Sequence, residues 1–164
     1  MGLLSLPFKL WRVLAGTPRS FTIGEKFEYY ARKYLFTGGS YELLQKTHSY
    51  KTRKKNYVPS ADPDFKFRDR RTGRLFYIET KYRSSFFKGQ VTWCTEKQLS
   101  HYRRRNSELP VFILLGTGGS PGQPAFISLI PLKQANFTSL FFSHAEKYSI
   151  HPRKAVSPKI LWRR

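Results

Sequence analysis

Two carboxylates and an amine occur at a spacing that could do chemistry on a phosphate ester. Asp64 follows a proline, and after 14 intervening residues the chain reads Glu79-Thr80-Lys81. Hydrolysis of a phosphodiester needs an activated water and stabilisation of the charge that develops on the phosphate, and one or two Mg²⁺ ions can supply both. Because Mg²⁺ prefers oxygen ligands and takes few carboxylates, Asp64 and Glu79 are candidate ligands, with the Thr80 carbonyl as a further one. Lys81 is a candidate to orient the water or to hold the phosphate.

The charge balance favours a polyanionic partner. The chain has 30 Lys and Arg against 10 Asp and Glu, a net charge of +20 in 164 residues. Cationic side chains displace the counterions of a phosphate backbone, so nucleic acid is the leading expected partner, and DNA is the first candidate. RNA and an anionic membrane stay open as alternatives. The hydrophobic fraction of 40% indicates a folded domain rather than a disordered chain.

A β-hairpin is predicted to carry the acids. Residues 64–68 alternate Phe with charged side chains, residues 70–73 form a turn that ends on Gly73, and residues 75–82 alternate again. Side chains two apart on a strand share a face, so Glu79 and Lys81 are expected to point the same way. Asp64 would start the partner strand.

The remaining elements are read from periodicity and from turn residues. Phe27, Ala31 and Leu35 fall on one face of a helix over 24–36, and the apolar run 110–115 is typical of a buried central strand. The other predictions are a strand over 41–50, a helix over 95–106, a glycine-rich loop over 116–124, a strand over 125–130 and a short helix within 131–150.

On this hairpin, Pro63-Asp64 and Glu79-Thr80-Lys81 resemble the motif of the PD-(D/E)XK nuclease superfamily. Two flanking segments extend the resemblance. Gly24 and Glu28 are similar to the first helix of archaeal Holliday-junction resolvases, and Gln98 with Tyr102 resembles the Q-x-x-x-Y helix of the exonuclease branch. The resemblance covers residues 24 to about 102.

The resemblance implies an α/β fold of the restriction-endonuclease-like type, with a mixed central β-sheet flanked by helices. It implies a Mg²⁺-dependent endo- or exonuclease acting on DNA, with Mn²⁺ as a substitute metal. Asp64, Glu79 and Lys81 would be catalytic, and Glu28, Asp64, Glu79 and Thr80 would bind metal. Cutting of a junction would favour a homodimer, for which the sequence shows no interface pattern.

Several residues keep a second interpretation. Asp62 could replace Asp64 as the ligand, and Glu28 could serve only the helix dipole. Gln98 could close a capping box with Thr95, since Thr-x-x-Gln is that pattern. Tyr102 could lie in the core. The alternative function is a non-catalytic nucleic-acid-binding protein on a nuclease-like fold.

Cations and one helical stripe are the predicted nucleic-acid contacts. Gln98, Tyr102 and Arg105 recur at the spacing of one helix face. Basic segments before, within and after the hairpin would hold phosphates without reading sequence. The candidates in these segments are Lys54, Lys55, Arg70, Arg71 and Arg83.

Composition also suggests an organisation and a compartment. We expect a basic amphipathic segment over 1–20, a nuclease-like domain over 21–150 and a basic tail over 151–164. No stretch approaches the roughly 20 apolar residues of a membrane-spanning helix, so stable membrane insertion is not expected. With Cys94 as the single cysteine, the chain has no disulfide framework and no cysteine metal cluster, and the cytoplasm is the expected location.

Overall fold

The computed structural model describes residues 19–47 and 62–164. The expectations for residues 1–18, and for Lys54 and Lys55, lie outside the described residues. The described α-helices are α1 (Arg19–Tyr30), α2 (Glu96–Glu108), α3 (Phe142–Ala145) and α4 (Pro158–Trp162), and α1 continues as a π-helical turn (Ala31–Leu35). Short 3₁₀ helices occupy Leu132–Gln134 and Glu146–Tyr148. The strands are β1 (Tyr41–Lys46), β2 (Phe65–Asp69), β3 (Leu75–Arg83), β4 (Gln90–Thr92), β5 (Val111–Ser120), β6 (Gln123–Pro131) and β7 (Ser139–Phe141).

A mixed five-stranded sheet forms the centre of the fold, with strand order β1-β2-β3-β5-β6. All neighbours pair antiparallel except β3 and β5, which pair parallel. Helix α2 lies in the connection from β3 to β5, as a parallel pair requires a long crossover. The predicted α/β class with a mixed sheet and flanking helices is confirmed. Strands β4 and β7 form a separate two-stranded sheet.

The predicted hairpin is β2 and β3, paired with Phe65 opposite Ile78 and Arg68 opposite Leu75. Gly73 in the turn has a φ of +72°, a conformation that side chains rarely adopt. Strand β3 is the middle strand of the sheet, with β2 on one side and β5 on the other. A side chain on β3 is therefore shielded by both neighbours.

Each face of the sheet covers its own hydrophobic cluster. On one face, Phe27 and Leu35 of the first helix pack with Phe76 and Ile78. On the other, Leu99 of α2 packs with Trp93 and Ile113. The helix predicted over 24–36 on the Phe27, Ala31 and Leu35 periodicity is confirmed, although it begins earlier, at Arg19, and its last turn is π-helical.

The loop predicted over 116–124 is wrong, because β5 and β6 extend through it as a hairpin. Thr117 pairs with Phe126 and Gly119 pairs with Pro124, so only the two residues between Ser120 and Gln123 turn the chain. The glycines have separate reasons. A Cβ at Gly116 would lie 2.6 Å from the Phe27 ring, and Gly118 and Gly119 have φ of +69° and +60°.

The C-terminal segment contributes to the core. Val156 and Leu161 are buried in the cluster beneath α1, and Trp162 packs against it. The Trp162 indole nitrogen donates to Asp69 Oδ2 at 2.7 Å, which joins α4 to the end of β2. Residues 151–164, which composition suggested as a basic tail, thus bury their apolar side chains.

Candidate active site

Asp64 and Glu79 meet at the open end of the β2–β3 hairpin. The register that pairs Phe65 with Ile78 brings the next residues outward, Asp64 and Glu79, side by side. The Asp64 main-chain amide donates to Glu79 Oε2 at 3.2 Å. Residues that are 15 apart in sequence are therefore in direct contact.

Thr80 holds the Asp64 carboxylate. Its amide donates to Asp64 Oδ2 at 2.8 Å, and its hydroxyl donates to the same oxygen at 2.6 Å. Thr80 is buried, and Asp64 is half-buried. The sequence suggested Thr80 only as a carbonyl ligand. Its amide and hydroxyl were missed, because a local pattern does not show which residue a β-strand side chain meets across the sheet.

Lys81 pairs with Glu79, as the shared strand face predicted. Its Nζ lies 2.7 Å from Glu79 Oε1, and its side chain is only 15% exposed. Burial alone would lower the pKa of Lys81, but the nearby Glu79 and Asp64 carboxylates raise it overall. Lys81 is therefore a cation, suited to donating hydrogen bonds and to holding negative charge rather than to accepting a proton.

Tyr102 completes the hydrogen bonding of Glu79. Its hydroxyl donates to Glu79 Oε1 at 2.7 Å, and its ring stacks on Trp93 with centroids 5.9 Å apart. The residue is 4% exposed, so Tyr102 lies in the core, which is the second interpretation that the sequence offered for it. The signal for burial is the spacing of Tyr102 from Leu99, because residues three apart share a helix face and Leu99 is also buried.

The acids crowd one another. Burial raises the pKa of Asp64 well above its usual range, and the neighbouring Glu79 and Glu28 raise it further. The pKa of Glu28 is also raised, by burial and by Glu79, although Lys46 opposes the shift from 3.2 Å away. The carboxylates of Glu28, Asp64 and Glu79 are thus close enough to repel one another, and a bound cation would relieve that repulsion.

The donor set fits a hard cation that needs few protein ligands. Among residues 19–47 and 62–164, no three His, Cys, Asp or Glu side chains form a ready metal-binding group, and Glu28, the third predicted acid, pairs with Lys46 at 3.2 Å. Mg²⁺ is commonly held by one or two carboxylates, with water and phosphate oxygens in its other positions. Asp64 and Glu79, with the Thr80 carbonyl, provide such a set.

Asp62 and Gln98 have structural partners. The Arg105 guanidinium donates to Asp62 Oδ1 at 2.6 Å, so the Asp62 carboxylate turns toward α2, while the Asp64 carboxylate turns toward Thr80. The main-chain amide of Thr95 donates to Gln98 Oε1 at 3.0 Å, and the main-chain amide of Gln98 donates back to Thr95 Oγ1 at 3.2 Å. This capping box is the alternative that the sequence offered for Gln98.

The predicted basic contacts separate into three groups. Arg105 also pairs with Glu108 at 3.1 Å, so its charge is largely neutralised. Arg83 donates to main-chain carbonyls, among them Thr92 at 2.9 Å, and anchors β4 to β3. Arg70 and Arg71 follow β2 at its turn end, so they do not flank the acids at the open end.

The chain was also compared with known proteins. No protein-family model matches it, and no curated protein is significantly similar to it. Among solved structures it is similar to Hjc, a Holliday junction resolvase from the archaeal hyperthermophile Archaeoglobus fulgidus. The two are 12% identical, the match covers 68% of this chain and 83% of that chain, and the TM-score is 0.47.

Proposed function

We propose that the protein is a metal-dependent nuclease that hydrolyses phosphodiester bonds of DNA. The observation that carries the proposal is the contact of Asp64 with Glu79 beside Lys81, in a half-buried setting on two adjacent strands. Acids are scarce in this chain of net charge +20, yet they meet at this point. A basic surface would attract the phosphate backbone, while the carboxylates would hold the cation needed to cut it.

In this proposal the carboxylates of Asp64 and Glu79 and the carbonyl of Thr80 would hold Mg²⁺ or Mn²⁺. When bound, the metal supplies positive charge that makes a water more acidic and stabilises charge developing on the phosphate. The Lys81 ammonium would orient that water or hold a phosphate oxygen. Tyr102, through its hydroxyl on Glu79 Oε1, would fix the orientation of the carboxylate.

The test is incubation of linear, nicked, single-stranded and branched DNA with the protein, in Mg²⁺ or in EDTA. Wild type should cut at least one of these substrates in Mg²⁺ and none in EDTA. Asp64→Ala should lose cleavage but keep or strengthen binding, because it removes a negative charge close to the phosphate. If the protein binds DNA in EDTA but cuts none of the substrates in Mg²⁺, the proposed nuclease activity is wrong.

A second candidate is non-catalytic binding of nucleic acid, and one observation favours it. The Glu79 carboxylate already accepts hydrogen bonds from Tyr102 and from the Asp64 amide, and it pairs with Lys81. A buried acid satisfied in this way can be purely structural. In that case, Asp64→Ala would lower the thermal stability, and the variant would bind DNA with the same affinity in EDTA as in Mg²⁺.

A further inference from the structure

A cluster of cations lies at the turn end of the hairpin, away from the acids. Arg70 and Arg71 enter it from the residues that follow β2, and Lys159 and Arg163 enter it from α4 and the residue after it. Together they line an open concavity of about 820 Å³. None of the described residues that line it is Asp or Glu. We refer to it below as the turn-end cleft.

The charges of the turn-end cleft are available to a ligand. All four cationic side chains are exposed, and within the described part of the chain none of them forms an ion pair. Arg70 Nε donates to the Gly38 carbonyl at 2.8 Å, which orients that side chain without neutralising it. By contrast, the nearby Arg68 on β2 is paired with Glu42 at 3.0 Å.

The two chain segments that line the cleft are held together, so the backbone positions from which its cations project are fixed. Asp69 Oδ2 accepts from the Trp162 indole, and the Arg74 guanidinium stacks on the Trp162 ring at 3.6 Å from its centroid. The same ring packs edge-on against Phe76 of β3. Because the cleft is formed before a ligand binds, binding must order only the side chains of its cations and not its backbone.

The cleft is well separated from the acids. From Asp64 to Arg70 the chain advances six positions along β2, and at about 3.4 Å per residue that is about 20 Å. The rise of DNA is about 3.4 Å per base pair, so 20 Å corresponds to about six base pairs. One phosphate cannot contact both the acids and the turn-end cleft. A continuous nucleic-acid backbone, or a second arm of a branched nucleic acid, can reach the cleft while another part lies at the acids.

We propose that the turn-end cleft is a second nucleic-acid-binding site, which holds the phosphate backbone about 20 Å from the acids. Guanidinium and ammonium groups bind phosphate without reading sequence, so the site adds affinity and fixes the path of the nucleic acid. The cations line a concavity, which suits a rod-shaped polyanion better than a flat layer of lipid headgroups. The inference takes its partner, nucleic acid, from the proposed function, but it does not require that the protein cleaves that partner.

The test uses the triple variant Arg71→Gln/Lys159→Gln/Arg163→Gln, with Arg70 kept for its bond to Gly38. Its affinity for a 30-base-pair duplex is measured by fluorescence anisotropy in EDTA over a series of salt concentrations. The slope of log affinity against log salt should become shallower by about 0.9 for each phosphate that the variant no longer neutralises, or about 2.7 in total. The single variant Lys159→Gln should make the slope shallower by about 0.9, and it guards against misfolding of the triple variant.

The matched control is Lys97→Gln/Lys133→Gln/Lys147→Gln, which removes the same charge at exposed positions outside the cleft. It should change the slope far less. Equal changes in the two triple variants would overturn the inference. So would a cleft variant that loses binding to vesicles of phosphatidylserine and phosphatidylcholine while its DNA binding stays unchanged, since that result assigns the cleft to a membrane.

The failure of this inference can be told apart from failure of the nuclease proposal. If wild type cuts DNA in Mg²⁺ while the cleft variant keeps the wild-type salt slope, the cleft inference alone is wrong. If wild type cuts nothing while the cleft variant has the shallower slope, the inference stands and cleavage is wrong. Wild type that neither binds DNA in EDTA nor cuts it in Mg²⁺ would overturn both.

Discussion

The two ends of the β2–β3 hairpin carry opposite charge in opposite settings. At the open end, Asp64, Glu79 and Lys81 are largely shielded and bonded to one another. At the turn end, Arg71 and its neighbours in the turn-end cleft are exposed and have no ion pairs among the described residues. One rigid pair of strands therefore separates a site suited to chemistry from a site suited to holding a backbone.

The difference follows from position in the sheet. β3 is the central strand, so a side chain near its middle is covered by β2, β5 and a helix. Charges buried there need partners, which Thr80, Tyr102 and Lys81 provide. The turn protrudes into solvent, where unpaired cations carry little desolvation cost.

Changing Glu79 to Gln tests the open end and should have the largest effect. The substitution keeps the size of the side chain but removes the charge that would hold a metal and that pairs with Lys81. We expect cleavage to fall by more than about 100-fold, beyond the 10- to 100-fold typical of residues that only orient a ligand. DNA affinity in EDTA should not fall. The control is Glu146→Gln, an exposed acid, which should cut as wild type does.

Changing Tyr102 to Phe removes one hydroxyl from the open end. Glu79 would lose the hydrogen bond of 2.7 Å while the stack on Trp93 persists. Cleavage should fall by about 10- to 100-fold, as for residues that orient a metal ligand, with DNA affinity unchanged. Tyr29→Phe, which removes an exposed hydroxyl, is the control. A loss of affinity rather than of rate would return Tyr102 to the predicted nucleic-acid surface.

Changing Asp69 to Asn tests the junction that supports the turn end. Burial alone would raise the pKa of Asp69, but hydrogen bonds from Trp162, from Thr72 and from the Arg71 amide lower it overall. Loss of these charge-assisted bonds should cost about 1.5–3 kcal/mol of unfolding free energy at pH 7, measured by urea denaturation.

The same variant has a pH signature. Since the folded pKa of Asp69 lies below the ordinary value of 3.8, its ionisation stabilises the fold fully above about pH 4, and that contribution is lost as the pH falls through the folded pKa. The stability difference between wild type and Asp69→Asn should therefore shrink below pH 4. A difference that is constant down to pH 2 would contradict the role given to the carboxylate.

Changing Gln98 to Ala should have the smallest effect. The capping box with Thr95 would lose the bond from the Thr95 amide, at a cost of about 0.5–1 kcal/mol in thermal or urea unfolding. DNA affinity and cleavage should stay at the wild-type level. A clear drop in affinity with unchanged stability would restore Gln98 as a nucleic-acid contact.

Local patterns were sufficient for the hairpin and for α2. The alternation about Phe65, Phe67 and Phe76 predicted β2 and β3, and the Thr95 to Gln98 spacing predicted the start of α2. Both signals are contained within a few residues. The placement of Glu79 and Lys81 on one face followed from the period of a strand, which needs no tertiary information.

Contacts between distant segments were not predictable in this way. The glycine-rich stretch that contains Gly116 was interpreted as a loop, yet pairing with β6 and packing of Phe27 make it a strand. The basic composition of the C-terminal segment suggested an exposed tail, so the burial of Val156 and Leu161 was not predicted. The bond of Tyr102 to Glu79 joins residues 23 apart, and no spacing rule within one helix indicates it.

The most direct test of the open-end site is a paired cleavage assay with Asp64→Asn and Asp62→Asn. The two acids are two residues apart, and the main-chain amide of Asp64 contacts Glu79, while the Asp62 carboxylate pairs with Arg105. With Mg²⁺ and a substrate that wild type cuts, Asp64→Asn should lose cleavage and Asp62→Asn should retain it. Equal activity in the two variants, or loss in Asp62→Asn alone, would contradict the assignment of Asp64 and Glu79 as the metal-binding acids.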